Sequence, residues 1–182
     1  SHFFMVDNDS DDGGREFLAQ QPDVSLWSTT GSYKRARFGV DWINWLQMRH
    51  GHNHWCLVVD PDELLVYPFC DTRPIRALTD WLDASSIKSF GAMLLDMYPK
   101  GRLEDARYER GADPLDLACW FDAGNYTISR NGRFGNLWIQ GGPRARKFFA
   151  DEPERAPALN KIPLVKWDKD YTYVSSTHML LP

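Results

Sequence analysis

Two acidic clusters hold most of the chemistry this sequence could perform. Asp7-Asn8-Asp9-Ser10-Asp11-Asp12-Gly13-Gly14 follows the apolar run Phe3-Phe4-Met5-Val6, and Asp60-Pro61-Asp62-Glu63 follows Trp55-Cys56-Leu57-Val58-Val59. Three carboxylates within four residues repel one another strongly if they are desolvated. A hard divalent cation relieves that repulsion, and Mg²⁺ typically takes one or two carboxylates plus phosphate oxygens. In an extended chain residues i and i+2 point to one side. Asp60 and Asp62 could therefore converge on a cation, with Pro61 stiffening the backbone between them. The plainer reading is a solvated acidic turn, since an isolated Asp-x-Asp is a short and unspecific motif.

Other residues could take part. Proton abstraction from an acceptor hydroxyl needs a carboxylate. Asp96 closes an apolar stretch and Asp122 lies in the loop region after it; each also reads as a loop cap or a surface charge. Glu63 adjoins the Asp-x-Asp pair. Gly141-Gly142-Pro143-Arg144-Ala145-Arg146 could present backbone N–H groups and cations to an anion, or form a turn and a solvated basic helix. His50-Gly51-His52-Asn53-His54 has imidazoles at alternate positions, as a transition-metal site might be spaced, but reads better as a polar helix-to-strand turn. His178, taken alone, reads as a hydrogen-bonded structural histidine. Most of the eight Trp belong to the core, with Trp120 or Trp138 available to stack on a sugar ring.

The elements that must position these residues alternate through the first half. Short apolar runs at 3–6, 24–28, 55–59 and 89–96 read as strands, and 33–50 and 73–83 read as helices, with a shorter helix ending near residue 20. Strand and helix in alternation predict an α/β domain with a mostly parallel sheet. Ligands then bind outside the carboxyl ends of the strands, so both acidic clusters should face one sheet edge. The second half is more mixed: a polar loop over 99–122, a short helix near 115–119, strands at 126–129, 134–140, 162–167 and 171–176, and a helix over 141–149.

The chain has 182 residues, 43% hydrophobic and 25% charged, which fits one globular domain and excludes wholesale disorder. A net charge of −4 argues against binding a nucleic-acid backbone, because that affinity comes from clustered Lys and Arg. No apolar run reaches the roughly 18–20 residues of a membrane span, and no secretory leader is visible. Cys56, Cys70 and Cys119 read as thiols of a reducing compartment. The expected location is cytoplasmic, free or membrane-associated.

Taken together, the two clusters are more specific than either alone. Val6-Asp7-Asn8-Asp9-Ser10-Asp11-Asp12-Gly13 and Val58-Val59-Asp60-Pro61-Asp62-Glu63-Leu64-Leu65-Val66 resemble paired segments of family-2-like GT-A glycosyltransferases, in order and in spacing. The tail Asn160-Lys161-Ile162-Pro163-Leu164-Val165-Lys166-Trp167, with Ser175-Ser176-Thr177-His178-Met179-Leu180, resembles the end of a bacterial subgroup of that superfamily. The resemblance implies a GT-A-like, Rossmann-like, mostly parallel sheet flanked by helices, with a mixed C-terminal part. It implies one domain over 1–182, in which 1–97 binds nucleotide and metal and 98–182 faces the acceptor. It also implies a further strand and helix preceding Phe3.

In function, the resemblance implies a metal-dependent glycosyltransferase of surface polysaccharide or glycan assembly. The donor would be a UDP- or GDP-linked sugar and the acceptor a glycan or lipid-linked hydroxyl. Asp7, Asn8, Asp9 and Asp60 would bind the donor. Asp60, Asp62 and His178 would hold Mn²⁺ or Mg²⁺, and Gly141, Gly142 and Arg144 would line the acceptor or phosphate side. The family's usual downstream Glu-Asp pair has no clear match, so Asp96 or Asp122 stands as the catalytic carboxylate from its place in this sequence. Two other readings stand beside it: a non-catalytic transferase-like domain that binds sugar or acts as a scaffold, and a metal-dependent phosphohydrolase.

Overall fold

The computed structural model describes residues 1–132, 135–174 and 176–182. The predicted start of a strand at Phe134, and Ser175 in the stretch predicted over 171–176, lie outside the described residues. The elements, in chain order, are β1 (Phe3–Asp7), α1 (Gly14–Ala19), β2 (Val24–Ser28), α2 (Val40–His50), β3 (Trp55–Leu57), α3 (Ile75–Ala84), β4 (Ser89–Met93), α4 (Pro114–Leu117), β5 (Tyr126–Arg130), β6 (Leu137–Gly141), α5 (Gly142–Phe148), β7 (Asn160–Lys166), β8 (Thr172–Tyr173) and β9 (Leu180–Leu181).

Local signals explain most of these bounds. Val24–Ser28 forms the predicted strand. Pro74 stands at the cap of α3, whose Ile75, Leu78 and Leu82 share one inward face at helical spacing while Arg76 and Asp80 face out. The helix predicted over 33–50 is shorter, because Arg37, Phe38 and Gly39 all take left-handed backbone angles that no α-helix continues through.

The strands do not assemble as a GT-A-like sheet. The expected Rossmann-like, mostly parallel sheet flanked by helices is replaced, among the described residues, by four small sheets: β1-β2, β3-β7-β4, β5-β6 and β8-β9. The strands β1 and β2 pair in parallel, Phe3 against Val24 through Asp7 against Ser28. The pairs β3–β7, β5–β6 and β8–β9 are antiparallel. Two physical reasons account for the difference. A parallel sheet needs cover on both faces, and the parallel sheet of β1 and β2 stops at these two strands among the described residues, where Phe3, Phe4 and Met5 remain 50%, 41% and 37% exposed. The second apolar run forms only a three-residue strand, and beyond it Val58 bonds the carbonyl of Pro163 before the chain turns at Asp60. The acid-tipped segments therefore end strands of different sheets rather than meeting on one sheet edge.

The chain divides into two compact units. Unit 1 comprises Ser1–Phe90 and Pro163–Pro182, and unit 2 comprises Gly91–Ile162. In unit 1 the buried side chains include Val40, Leu46, Leu82, Leu164, Val165, Trp167 and Tyr173. Asn44 joins α2 to β8 twice: its side-chain amide donates to the Tyr173 carbonyl at 2.9 Å, and its Oδ1 accepts the Tyr173 N–H at 2.9 Å. Asp83 accepts hydrogen bonds from Lys166 at 2.7 Å and the Trp55 indole at 3.2 Å; these donors, Lys166 foremost, hold its carboxyl below the usual range. In unit 2 the buried set is smaller: Ile139, Ala145, Ala156, Ala158 and Leu159. Asn160 Oδ1 accepts the Ile139 N–H at 3.1 Å, and the Gln140 amide donates to the carbonyls of Glu154 and Ala156. Of the Trp expected in the core, Trp167 is buried, whereas Trp45 and Trp81 are 44% and 57% exposed; Trp120, set apart in the sequence as able to stack on a sugar ring, is 49% exposed. No helix among the described residues is long and apolar enough to cross a membrane.

Candidate functional site

The predicted site residues divide between the units. Asp7, Asn8, Asp9, Asp60, Asp62 and His178 lie in unit 1; Asp96, Asp122, Gly141, Gly142 and Arg144 lie in unit 2.

Asp7 ends β1 and is 7% exposed. Asp9 takes a left-handed conformation (φ 62°), which folds the chain back so that the Ser10 N–H donates to Asp7 Oδ1 at 3.3 Å. Asn8 faces the neighbouring strand end, donating to the carbonyls of Thr29 and Gly31 at 3.0 Å each. These bonds tie the loop after β1 to the loop after β2. The Ser10 side chain, with its amide, lowers the Asp7 pKa from its ordinary value despite the burial, so Asp7 is a carboxylate at neutral pH. Its second oxygen, Oδ2, is buried and has no hydrogen-bond partner. A buried carboxylate oxygen without a donor is costly, and natural structures rarely leave one. A recess of about 130 Å³ lies at the same end of the strand pair, lined by Val6, Trp27, Ser28, Thr29, Trp42 and Trp45.

The Asp60–Glu63 segment is a closed turn rather than an extended chain. The Glu63 N–H donates to the Asp60 carbonyl at 3.0 Å, and Glu63 Oε2 accepts the Asp60 N–H at 3.2 Å. The alternation that would aim Asp60 and Asp62 to one side belongs to a strand and does not apply here. Both carboxylates are exposed. His178 sits half-buried in the turn before β9, its N–H donating to Ser176 Oγ at 3.2 Å. Among the described residues no three His, Cys, Asp or Glu side chains form a metal-holding group, so Asp60, Asp62 and His178 are not gathered into a preformed three-ligand site. What remains is two exposed carboxylates on one turn, the oxygen-donor type that hard cations take.

The His50–His54 stretch runs from the last residue of α2 through a turn toward β3, as its composition suggests. His50 stacks on Phe4 with ring centroids 5.1 Å apart and leans on Trp27 at 5.6 Å, while Arg49 lies over Trp45.

In unit 2 the structure unites residues that the sequence suggests separately. Arg144 grips Asp96 through two bonds, Nε to Oδ2 at 2.7 Å and Nη2 to Oδ1 at 2.5 Å. Arg146 grips Asp122 in the same way, with both bonds at 3.0 Å. Tyr98 donates to Asp122 Oδ1 at 2.8 Å, and Tyr126 donates to the Asp122 carbonyl at 2.9 Å. Arg146 first, and Tyr98 after it, lower the Asp122 pKa; the same carboxylate raises that of the Tyr98 phenol. The arginines therefore face protein carboxylates, and the Gly142 N–H donates to the Asn125 carbonyl at 3.0 Å. Gly141 (φ 135°) and Gly142 (φ 66°) are required for close approach: a Cβ on Gly141 would stand 2.1 Å from the Asn125 carbonyl oxygen, and one on Gly142 would stand 2.9 Å from the Tyr126 ring. The Arg–Asp pairing escaped the sequence reading because partners 48 and 24 positions apart leave no local signature.

No protein-family model, curated protein or solved structure matches this chain.

Proposed function

We propose that this chain is a nucleotide-sugar-dependent glycosyltransferase whose donor seat is built around Asp7. The observation that carries this reading is the buried, unpartnered Oδ2 of Asp7 at the carboxyl end of β1. An ionised carboxylate only accepts hydrogen bonds, and the ring N–H of uracil or guanine supplies the missing donor. Asn8 holds the two strand-end loops together around it, so the acceptor oxygen is positioned before the ligand arrives. Asp60 and Asp62 would hold Mn²⁺ or Mg²⁺ against the diphosphate, where a bound cation neutralises the charge that develops on the leaving group. The acceptor hydroxyl would belong to a glycan or a lipid-linked sugar.

A second reading is favoured by one observation. Both candidate proton acceptors, Asp96 and Asp122, have both oxygens engaged by a guanidinium. This supports a transferase-like domain that binds nucleotide and sugar without turning them over.

Titration calorimetry with UDP and GDP, with and without Mn²⁺, tests the donor seat. The expected result is saturable binding that Asp7→Asn weakens at least tenfold, and a Mn²⁺ enhancement that Asp62→Ala removes. No nucleotide binding, or binding indifferent to Asp7→Asn, overturns the proposal. Sugar transfer or donor hydrolysis in the wild-type chain then separates the enzyme from the non-catalytic domain.

A further inference from the structure

A second, larger cavity lies wholly within unit 2 and shares no residue with the predicted site residues. It measures about 310 Å³, and its walls carry Lys100, Arg102, Asp105, Arg107, Asp116 and Cys119. That volume is at the lower end of the roughly 300–1,000 Å³ typical of ligand pockets. We infer that this cleft is a saccharide subsite for a neutral, hydroxyl-rich sugar. The inference rests on the glycosyl-transfer reading only in naming that sugar as part of the acceptor.

The composition of the wall selects the ligand. Lys and Arg can only donate hydrogen bonds, and an ionised Asp can only accept them. A sugar hydroxyl does both, so a ring with adjacent hydroxyls can satisfy cationic donors and carboxylate acceptors together. A phosphate or uronate would meet the carboxylates of Asp105 and Asp116, and a cationic ligand would meet three positive side chains. The mixed wall therefore discriminates against either charge.

The local fold holds these groups in place. Glu104 pairs with the Arg102 guanidinium through its side chain and accepts a bond from Arg107 Nη1 at 3.2 Å through its carbonyl. Asp116 stands on α4, which Asp113 caps by accepting the Leu115 N–H at 2.9 Å. Beside Cys119, Trp120 is fixed by two backbone bonds with Tyr98, at 2.8 and 3.0 Å. Its ring is 49% exposed, with the Lys100 ammonium 6.0 Å from the ring centroid. An exposed indole next to such a wall offers an apolar surface to the C–H face of a sugar.

The test is calorimetry and ligand-observed NMR on the full chain. The probes are hexasaccharides of glucose, mannose and N-acetylglucosamine, with hexagalacturonate and inorganic phosphate as charged arms. The expected result is saturable binding of at least one neutral hexasaccharide. Asp116→Asn, Arg107→Gln and Trp120→Ala should each weaken it at least tenfold without changing the circular dichroism or the affinity for UDP and GDP. The inference is overturned if no neutral hexasaccharide binds, if the three variants bind as the wild type does, or if galacturonate or phosphate binds more tightly. Oligosaccharide binding in a chain that ignores UDP and GDP would sustain the cleft while removing the donor seat.

Discussion

Asp7 in unit 1 and Asp122 in unit 2 are both shielded aspartates held ionised, and they are held by opposite means. Asp7 is kept charged by Ser10, with no cation paired to it, and one of its oxygens is left over. Asp122 is kept charged chiefly by Arg146, and its oxygens receive three donors in all. The first arrangement leaves one buried acceptor oxygen without a donor from the chain. The second is closed and fastens the loop at residue 122 to α5. An aspartate's functional reading therefore depends less on where it stands in a motif than on how many of its lone pairs the protein has already taken.

Three measurements would sharpen or break that contrast between an open unit and a fastened one. The largest effect is expected from Gly141→Ala in unit 2. The new Cβ would overlap the Asn125 carbonyl, and backbone strain plus overpacking should cost about 3 kcal/mol, read as a lower urea midpoint. Loss of under about 0.5 kcal/mol would mean that this junction is looser than described. The second compares thiols. Burial pushes the Cys56 thiol up to about 11, whereas Cys119 is exposed. At pH 8 Cys56 should react with iodoacetamide about a hundredfold more slowly than a thiol at its ordinary pKa, and mass spectrometry should find Cys119 labelled first. Equal rates would remove Cys56 from the protected interior.

The smallest effect concerns acid unfolding. The folded pKa of Asp122 is depressed, so its contribution to stability is complete above the unfolded value of about 3.9. It is then lost as pH falls through the lower folded value. Arg146→Gln should flatten the stability curve on that acid limb. The part owed to Asp7 should remain, because its shift rests chiefly on Ser10. An unchanged limb in Arg146→Gln would show that the pair does not hold unit 2 together.

The elements were largely legible in the sequence, and their pairing was not. Periodicity and turn residues place β2, α3, α5 and β7 within a few residues, since those signals act over one or two turns of chain. What they cannot carry is which strand lies beside which. The run Trp55-Cys56-Leu57 reads the same whether its neighbour is parallel or antiparallel, and its partner β7 lies more than a hundred positions away. The site shows the same limit. Asp7 stood out by its place after an apolar run, yet its unsatisfied oxygen is a property of the folded environment. Asp96 and Asp122 stood out as acids, and Arg144 and Arg146 as bases; that each acid belongs to one of those arginines is visible only in three dimensions.

Unit 1 is assembled from two separated stretches, and the Asn44–Tyr173 pair is one of the bonds that joins them. A ribosome delivers Ser1–Phe90 first, then the whole of Gly91–Ile162, and only then the stretch that completes the first unit. During synthesis the nascent amino-terminal stretch must therefore wait, with Asn44 lacking its Tyr173 partner, while the inserted unit emerges. The nucleotide capture proposed for Asp7 would then be assayed only on a chain that includes that closing stretch.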